Sequence, residues 1–350
     1  MGMAKRSYSK KGSKIEPSML TLSFAGPTVA PGAGVYAHVD LSQVASLVNR
    51  RFYRQGINWA VAGFKIFTQT GYEGTISVSK LPNTWTLSNS WEKSFRAWTK
   101  MNNEALAEAP SVRPKFLDFK VYANARHHTA GFAANLLPIS SDGTYAAGEW
   151  ESSKLRIPDT TIAGNTRERE IVAVGASYPG AGASGLNAVS MIEGYAASRG
   201  LPDIVDPNTP GDADDAKGAQ PANWMVAIFN DGTSQDDAVI DDMVTENNQA
   251  PYPFENGEIP SAPGTYWTDT QYPGGANQGL GVQIHDQEFI SGTTIGGTTR
   301  LKGGNFPCGL MNFVISNTNP DVASQSTYYI YLDLVPGNHR GYLCEKMGDM

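Results

Sequence analysis

TYYIYLDLV, at residues 327–335, is the stretch of sequence that decides the fold. Tyrosine and β-branched residues make up most of it, and both kinds are enriched in β-strands because they pack well on a pleated, half-buried surface. No other segment has a composition so typical of a strand. The sequence therefore predicts a β-strand over residues 327–335, and the rest of the chain is interpreted outward from it.

Other segments carry weaker versions of the same signal. Residues 57–68 (INWAVAGFKIFT) and 74–80 (GTISVSK) predict two strands joined as a hairpin through residues 70–73. Residues 115–123 alternate, with Phe119 and Val121 on one face. Further strands are predicted at residues 19–24, 34–41, 154–157, 170–175, 224–229, 281–289 and 309–316.

Helical periodicity is confined to a few segments. Residues 90–107 place Trp91, Phe95 and Trp98 on one helix face, with Ser90 as a candidate N-cap. Residues 184–198 and 42–50 are two weaker candidates. Because strands do not alternate regularly with helices, we expect an all-β protein. The predicted fold is a single jelly roll of two packed antiparallel sheets, with long loop insertions and one or two helices.

Loops take up much of the chain. Only 17% of residues are charged, while glycines number 37 and prolines 21, which is typical of a fold with many turns. Residues 180–279 are especially rich in Pro, Gly, Asp and Asn. Long loops of this kind usually have a function. We expect them to be surface insertions in one jelly-roll domain spanning residues 17–350.

Charge is divided unevenly along the chain. Residues 1–128 carry a balance of +10, whereas residues 129–350 carry −17, for a net charge of −7. Such a division favours a nucleic-acid-facing side and a solvent-facing side. The alternative is that acidic surface loops simply fall late in the chain.

The most basic segment is residues 1–16, MGMAKRSYSKKGSKIE. It has almost nothing to bury, so it cannot offset the entropy cost of ordering, and we expect a disordered basic arm. Phosphates would neutralise the arm. The alternative is an ordinary flexible terminus. The basic residues of the arm are Lys5, Arg6, Lys10, Lys11 and Lys14.

A second basic cluster contains Arg50, Arg51 and Arg54, with Phe52 and Tyr53 between them. Arginine neutralises phosphate and aromatic rings stack on unpaired bases, so we predict a nucleic-acid contact without sequence specificity. Two alternatives stay open. The arginines could instead pair with carboxylates of a neighbouring subunit, and Phe52 could be core.

Catalytic and metal motifs are absent from the sequence. There is no G-x-S-x-G nucleophile elbow and no Walker-type loop. His127 and His128 are adjacent, and on a strand they would point to opposite faces and could not share one ion. An acidic loop at residues 206–215 is better explained by solvation than by calcium. We therefore expect no enzyme activity, no metal and no cofactor.

Cellular context follows from three further features. Two cysteines, Cys308 and Cys344, do not make a disulfide framework, and whether they pair is left open. No apolar run approaches the roughly 20 residues of a transmembrane helix. No apolar core follows the basic N-terminal residues, so no secretory leader is indicated. We expect a soluble protein without a membrane partner.

Three segments resemble capsid proteins of small circular Rep-encoding single-stranded DNA viruses. They are VDLSQVASLVNRRFYRQGINWAVAGFKI at residues 39–66, SKLPNTWTLSNSWEKSFRAWTKMNNEAL at 79–106 and RPKFLDFKVYANARHHTAGFAANLLP at 113–138. The resemblance implies a jelly-roll subunit, an icosahedral shell and a circular single-stranded DNA genome inside it. Basic N-terminal arms on the shell interior are common in that family. The departure here is an arm with only five basic residues.

The resemblance also implies the partners and the location. The chain would assemble with copies of itself, bind single-stranded DNA and meet an unknown host receptor. It would be found in the virion, and in the host nucleus or cytoplasm during assembly. The alternative function is a carbohydrate-binding or carbohydrate-cleaving β-sandwich, with Glu149 and Glu151 sharing a strand face. A bacterial surface protein is disfavoured by the missing leader.

Overall fold

The structure, a computed structural model, describes nine ranges of the chain: residues 18–69, 71–107, 109–113, 118–158, 165–198, 224–229, 281–291, 297–318 and 327–350. The predicted arm at residues 1–16 lies outside these ranges, with Lys5, Arg6, Lys10, Lys11 and Lys14. So do the acidic loop at residues 206–215 and most of residues 180–279.

Strands and helices are numbered in chain order. The strands are β1 Thr21–Ala25, β2 Gly34–Asp40, β3 Ile57–Thr68, β4 Gly74–Lys80, β5 Ile139–Ser140, β6 Gly143–Thr144, β7 Leu155–Pro158, β8 Thr166–Val172, β9 Ala188–Ser190, β10 Gln283–Ile290, β11 Thr298–Phe306, β12 Leu310–Asn317, β13 Tyr328–Leu334, β14 Pro336–Gly337, β15 Gly341–Tyr342 and β16 Cys344–Lys346. The helices are α1 Leu41–Asn49, α2 Trp85–Ala107, α3 Ala125–Ala130, α4 Met191–Ser198 and α5 Trp224–Phe229.

Nine strands form two facing sheets. The first sheet has the order β1-β13-β3-β11, with β16 also pairing with β3, and the second has the order β10-β4-β12-β2. The antiparallel ladders are nested, since β1 pairs with β13, β2 with β12, β3 with β11 and β4 with β10. The path is that of one long hairpin rolled up on itself. This is a jelly roll, and the predicted fold class is confirmed.

The interior of the roll is apolar and rich in aromatic rings. Along β13, residues alternate between buried and more accessible, which is the pattern of a strand with one face on the core. Phe64 on β3 lies edge-on to Phe306 of its own sheet and to Phe313 of the facing sheet, with ring centroids 5.7 and 5.5 Å apart. Edge-to-face pairs of this kind add to the stability gained from burial.

The predicted hairpin of β3 and β4 is wrong. Both strands have the bounds that the sequence predicts, but they lie in different sheets and do not pair. Tyr72 in the connection is buried in the core and donates its hydroxyl to the carbonyl of Ser316 at 2.9 Å. The connection therefore carries the chain from one sheet to the other, and each strand finds its partners in the C-terminal part of the chain.

An insertion at residues 81–282 separates β4 from β10 and forms most of a second apolar core, to which Cys308, Leu310 and Met347 from outside the insertion also contribute. Helix α2 is its main element and begins at Trp85, earlier than predicted, because Thr84 rather than Ser90 accepts a backbone N–H, that of Leu87 at 3.3 Å. Three aromatic residues of α2 surround Phe119, with ring centroids 5.6 to 6.1 Å from it. They are Trp91, Phe95 and Trp98.

Several predictions for the insertion are wrong. Residues 224–229 form helix α5 and not a strand, because Trp224 and Ile228, four residues apart, are both buried on one side. Residues 184–198 divide into strand β9 and helix α4. Within the described part of 115–123, Phe119 and Val121 are buried as expected, but only Tyr122 makes a β-bridge, to Val172.

The described residues contain five helices, more than the one or two that the sequence predicts. Only α2 exceeds nine residues among those described. None of the helices in the described ranges is both long and apolar enough to cross a membrane.

Candidate nucleic-acid interface

Helix α1 ends at the predicted arginine cluster. Asp40 caps its start, accepting the backbone N–H groups of Ser42 at 2.9 Å and Gln43 at 3.4 Å. Arg50 follows the last turn in the left-handed conformation, with φ of 53°. Residues other than Gly and Asn adopt this left-handed conformation only at a cost in free energy. The side chain of Arg50 is exposed.

The predicted cluster divides into exposed and buried residues. Arg50 and Arg54 are exposed and Arg51 is half-buried. Tyr53, in contrast, is fully buried in the core of the roll, with its ring 5.9 Å from Trp59. Tyr53 therefore cannot stack on a base, and that part of the prediction is wrong.

A fourth arginine joins the cluster from the other end of the chain. Arg340 lies between β14 and β15, and its guanidinium donates a hydrogen bond to the carbonyl of Phe52. In return, the Tyr53 hydroxyl donates to the carbonyl of Arg340 at 3.0 Å. Arg340 is exposed. No local sequence signal could have found it, because 288 residues separate it from Phe52.

The N-terminal chain enters the fold at the same place. The backbone N–H of Met19 donates to Oδ1 of Asn49 at 3.0 Å, and the Tyr342 hydroxyl donates to the carbonyl of Met19 at 2.7 Å. Asn49 also donates to the Tyr342 hydroxyl at 2.7 Å, which closes the triangle. Asn49 directly precedes Arg50, so the root of the basic arm lies beside the cluster. We call Arg50, Arg51, Arg54 and Arg340 the basic cluster.

A neighbouring groove does not extend the basic cluster. Its volume is about 940 Å³, and Arg54 lines it together with α2 and the segment around β16. Among its charged lining residues, three are basic and four acidic, so it offers no net positive charge. They are Arg54, Arg96, Lys346, Glu92, Asp118, Glu345 and Asp349.

His127 and His128 lie on helix α3, not on a strand, and each has its own buried partner. Nε2 of His128 is 2.8 Å from Glu170. Nδ1 of His127 accepts the backbone N–H of Ala123 at 3.1 Å, so its Nε2 carries the proton and donates to Asn135 at 2.9 Å. Within the described ranges, no three His, Cys, Asp or Glu residues are grouped to hold a metal ion.

A third histidine stacks on this pair from the roll. The ring of His38, on β2, lies parallel to that of His127 with centroids 4.6 Å apart. Burial, assisted by the positive charge of Arg126, lowers the pKa of His38 to about 4. Burial also holds the pKa of His127 well below its ordinary value, and the neighbouring His38 acts in the same direction. Both rings are therefore neutral at pH 7.

Beside the histidines, a buried polar network joins the roll to the insertion. The Gln55 amide donates to the Val121 carbonyl at 3.0 Å and accepts the Val121 N–H at 2.6 Å. It also donates to Asp40 at 3.1 Å, and Trp150 donates to the same carboxylate at 3.0 Å. Burial raises the pKa of Asp40, although these hydrogen bonds oppose the shift. The network is a structural junction.

The remaining candidate residues do not form a site. Cys308 is buried, Cys344 is half-buried, and neither is in a disulfide. Burial raises the pKa of Cys344 to about 12. Glu149 and Glu151 are exposed and lie between β6 and β7, outside any strand, so the expectation that they share a strand face is wrong.

Comparison of the chain with protein-family models, with curated proteins and with solved structures finds no match. Function is therefore inferred from the fold and from the basic cluster.

Proposed function

We propose that this chain is the coat protein of a small icosahedral virus, and that it assembles with copies of itself around a circular single-stranded DNA genome. It would act as a shell protein and not as an enzyme. The observation that carries the proposal is the root of the basic arm beside the basic cluster, on a jelly-roll subunit. Jelly rolls occur in viral capsids and in lectins, so the fold alone does not decide between them.

Charge and geometry support this function together. Residues 1–16, which precede the described chain in sequence, contain five basic side chains, and the basic cluster adds three exposed arginines, Arg50, Arg54 and Arg340. Cations gathered in this way neutralise phosphates without reading sequence. The proposed subunit turns this end toward the packaged DNA. The exposed acidic residues of the insertion would then face solvent, away from the genome.

The first test is electron microscopy of the purified full chain, with the absorbance ratio at 260 and 280 nm read on the same fraction. We expect uniform spheres with a raised ratio, and nucleic acid that, once extracted from the spheres, DNase digests and RNase does not. A monodisperse monomer at all salt concentrations and pH values would overturn the proposal. Protein-only spheres would overturn the packaging role.

The second test removes the cations. Deleting residues 1–16, or combining Arg50→Gln with Arg54→Gln, should leave spheres intact and lower their nucleic-acid content. Lys154→Gln with Arg156→Gln is the matched control, because it removes the same charge from exposed residues of the insertion. Equal nucleic-acid content in all three variants would contradict the role of the arm and the cluster.

A further inference from the structure

Among the described residues, the outward face of the first sheet is accessible, and three of its strands present aromatic and basic side chains there. On β3, Lys65 lies directly between Arg300 of β11 and Tyr331 of β13. In the next row, Phe67 lies between Thr298 and Tyr329. We call this surface the open sheet face. It is formed by Lys65, Phe67, Thr298, Arg300, Lys302, Tyr329, Tyr331 and Asp333.

The second sheet has no comparable surface in its two central strands. On β4, Ser77 and Ser79 point away from the roll interior and are nevertheless buried. Asn312 on β12, paired with Ser79, is buried as well. A partner can therefore contact charged and aromatic side chains on the outward face of the first sheet, whereas the outward side chains at the centre of the second sheet are small, polar and buried.

Two aromatic side chains of the open sheet face are exposed to solvent. Phe67 is 37% exposed and Tyr329 is 47% exposed. The ring of Phe67 meets that of Tyr331 edge-on, with centroids 5.0 Å apart. Rings held at fixed positions on a sheet are platforms on which unpaired bases stack, and each stacked base contributes about 1–3 kcal/mol in other proteins.

The charge of the open sheet face is positive. Its one carboxylate, Asp333, is paired with Lys65 at 2.8 Å and accepts the Thr21 hydroxyl at 2.7 Å. Arg300 is exposed, and the side chain of Lys302 is 82% exposed. Nζ of Lys302 is 3.8 Å from Asp286 of the neighbouring sheet, whose side chain is 10% exposed, so the lysine is partly compensated at the long end of ion-pair distances. Arg300 acts electrostatically on Asp333. The open sheet face thus carries three cations, Lys65, Arg300 and Lys302, against Asp333 and the adjoining Asp286, and the exposed Arg300 and Lys302 are the two that phosphates can reach.

The open sheet face is continuous with the root of the arm. Strand β1 forms the edge of the same sheet and begins at Thr21, two residues after Met19. Thr21 lies in the same row as Asp333, Gly63 and Lys302. A nucleic-acid strand held by the arm and the basic cluster would therefore reach the open sheet face directly.

We infer that the open sheet face binds single-stranded DNA, with phosphates on Arg300 and Lys302 and bases stacked on Phe67, Tyr329 and Tyr331. The inference rests on the proposed function for its setting, in which this face is the inner wall of the shell. The competing occupant is a neighbouring subunit, which would cover the rings without needing the cations.

Two sets of variants test the inference with a fluorescent 20-nucleotide oligothymidylate as the probe. Arg300→Gln with Lys302→Gln should weaken binding about tenfold near 0.1 M salt and reduce the salt slope by about 1.4, since each phosphate contact to a single strand contributes about 0.7. Lys154→Gln with Arg156→Gln should change neither. An affinity and a slope equal to those of this control would overturn the inference.

Ultraviolet cross-linking separates stacking from charge. Oligothymidylate should cross-link to the peptides that contain Phe67 and Tyr329. The cross-link at residue 329 should disappear in Tyr329→Ala and return in Tyr329→Phe, which keeps the ring. If Tyr329→Ala prevents sphere formation but leaves binding and cross-linking elsewhere unchanged, the face is a subunit contact and the inference is wrong.

The outcomes also distinguish the inference from the proposed function. Spheres whose DNA content is unaffected by the Arg300 and Lys302 substitutions would leave the shell function standing and overturn the open sheet face. A chain that never assembles, yet binds oligothymidylate through these residues, would overturn the shell function and retain the binding face.

Discussion

The roll and the insertion are held together in different ways. In the roll, eight long strands pair along nested ladders around an apolar interior. In the insertion, short elements gather around the aromatic side chains of α2, and a buried polar junction attaches them to the roll. Apolar burial is non-directional and tolerant of detail, whereas buried hydrogen bonds are costly when one partner is lost. The roll should therefore respond to lost volume, and the junction to lost polar partners.

The largest effect should come from the interior of the roll. Trp59→Ala removes a fully buried ring that packs against Tyr53 and Tyr342. We expect a loss of about 3–5 kcal/mol in the free energy of unfolding, measured by chemical denaturation. Phe289→Ala is the matched control, because Phe289 is 77% exposed. If both variants unfold alike, the roll is not the rigid part of the molecule.

The junction should give the next largest effect. Gln55→Ala leaves the N–H and the carbonyl of Val121 without their amide partner. A stranded buried polar group costs about 1–3 kcal/mol, so we expect a loss of about 3 kcal/mol. Limited proteolysis should cut the insertion before the roll. The exposed Gln287→Ala provides the control. Cleavage that begins in the roll would contradict the division between the two regions.

The smallest effect should depend on pH. The pKa of His38 falls from 6.5 to about 4 on folding, so the unfolded chain binds more protons between these values and stability declines as the pH falls through them. At pH 5 the expected loss from His38 is about 2 kcal/mol. Asp118, whose pKa burial raises to about 6, acts with the opposite sign. Because the two contributions oppose each other, the test compares the pH dependence of stability of the natural chain with that of a variant that lacks His38.

His38→Leu should remove the part of the pH-dependent loss of stability that comes from His38. The free energy of unfolding of the variant minus that of the natural chain should be about 2 kcal/mol more positive at pH 5 than at pH 8, because only the natural chain loses stability as His38 is protonated. At pH 8 His38 is neutral in both the folded and the unfolded chain, so the difference in stability between the two proteins at that pH reflects packing alone. Parallel pH profiles for the two proteins would show that the stacked histidines do not sense protons.

Sequence reasoning succeeded where one strand carries its own signal. The bounds of β3 and β4 follow from alternation, because one face of each strand meets the core of the roll. The pairing of strands could not be predicted, because each strand pairs with one that is distant in sequence. The partner of β1 is β13, and β3 and β4 pair with C-terminal strands and not with each other. Residues 224–229 are apolar throughout, so periodicity could not separate helix from strand.

The candidate interface was found only in part. Arg50, Arg51 and Arg54 are contiguous enough to be recognised as a basic cluster from the sequence. Arg340 and the open sheet face come together only through strand pairing across most of the chain. Tyr53 was misassigned because a tyrosine between two arginines has the same local pattern whether it is exposed or buried.

The nested ladders also set an order on biosynthesis. Thr21 lies 312 residues before Asp333, its partner, so a ribosome releases β1 long before β13 exists. Until β10 and the strands after it emerge, β1 to β4 have none of their sheet partners, while the insertion can collapse around α2 from contacts closer in sequence. The first sheet closes only after β13 has been translated. The insertion, whose contacts are closer in sequence, can thus fold first, and the roll is completed around it afterwards.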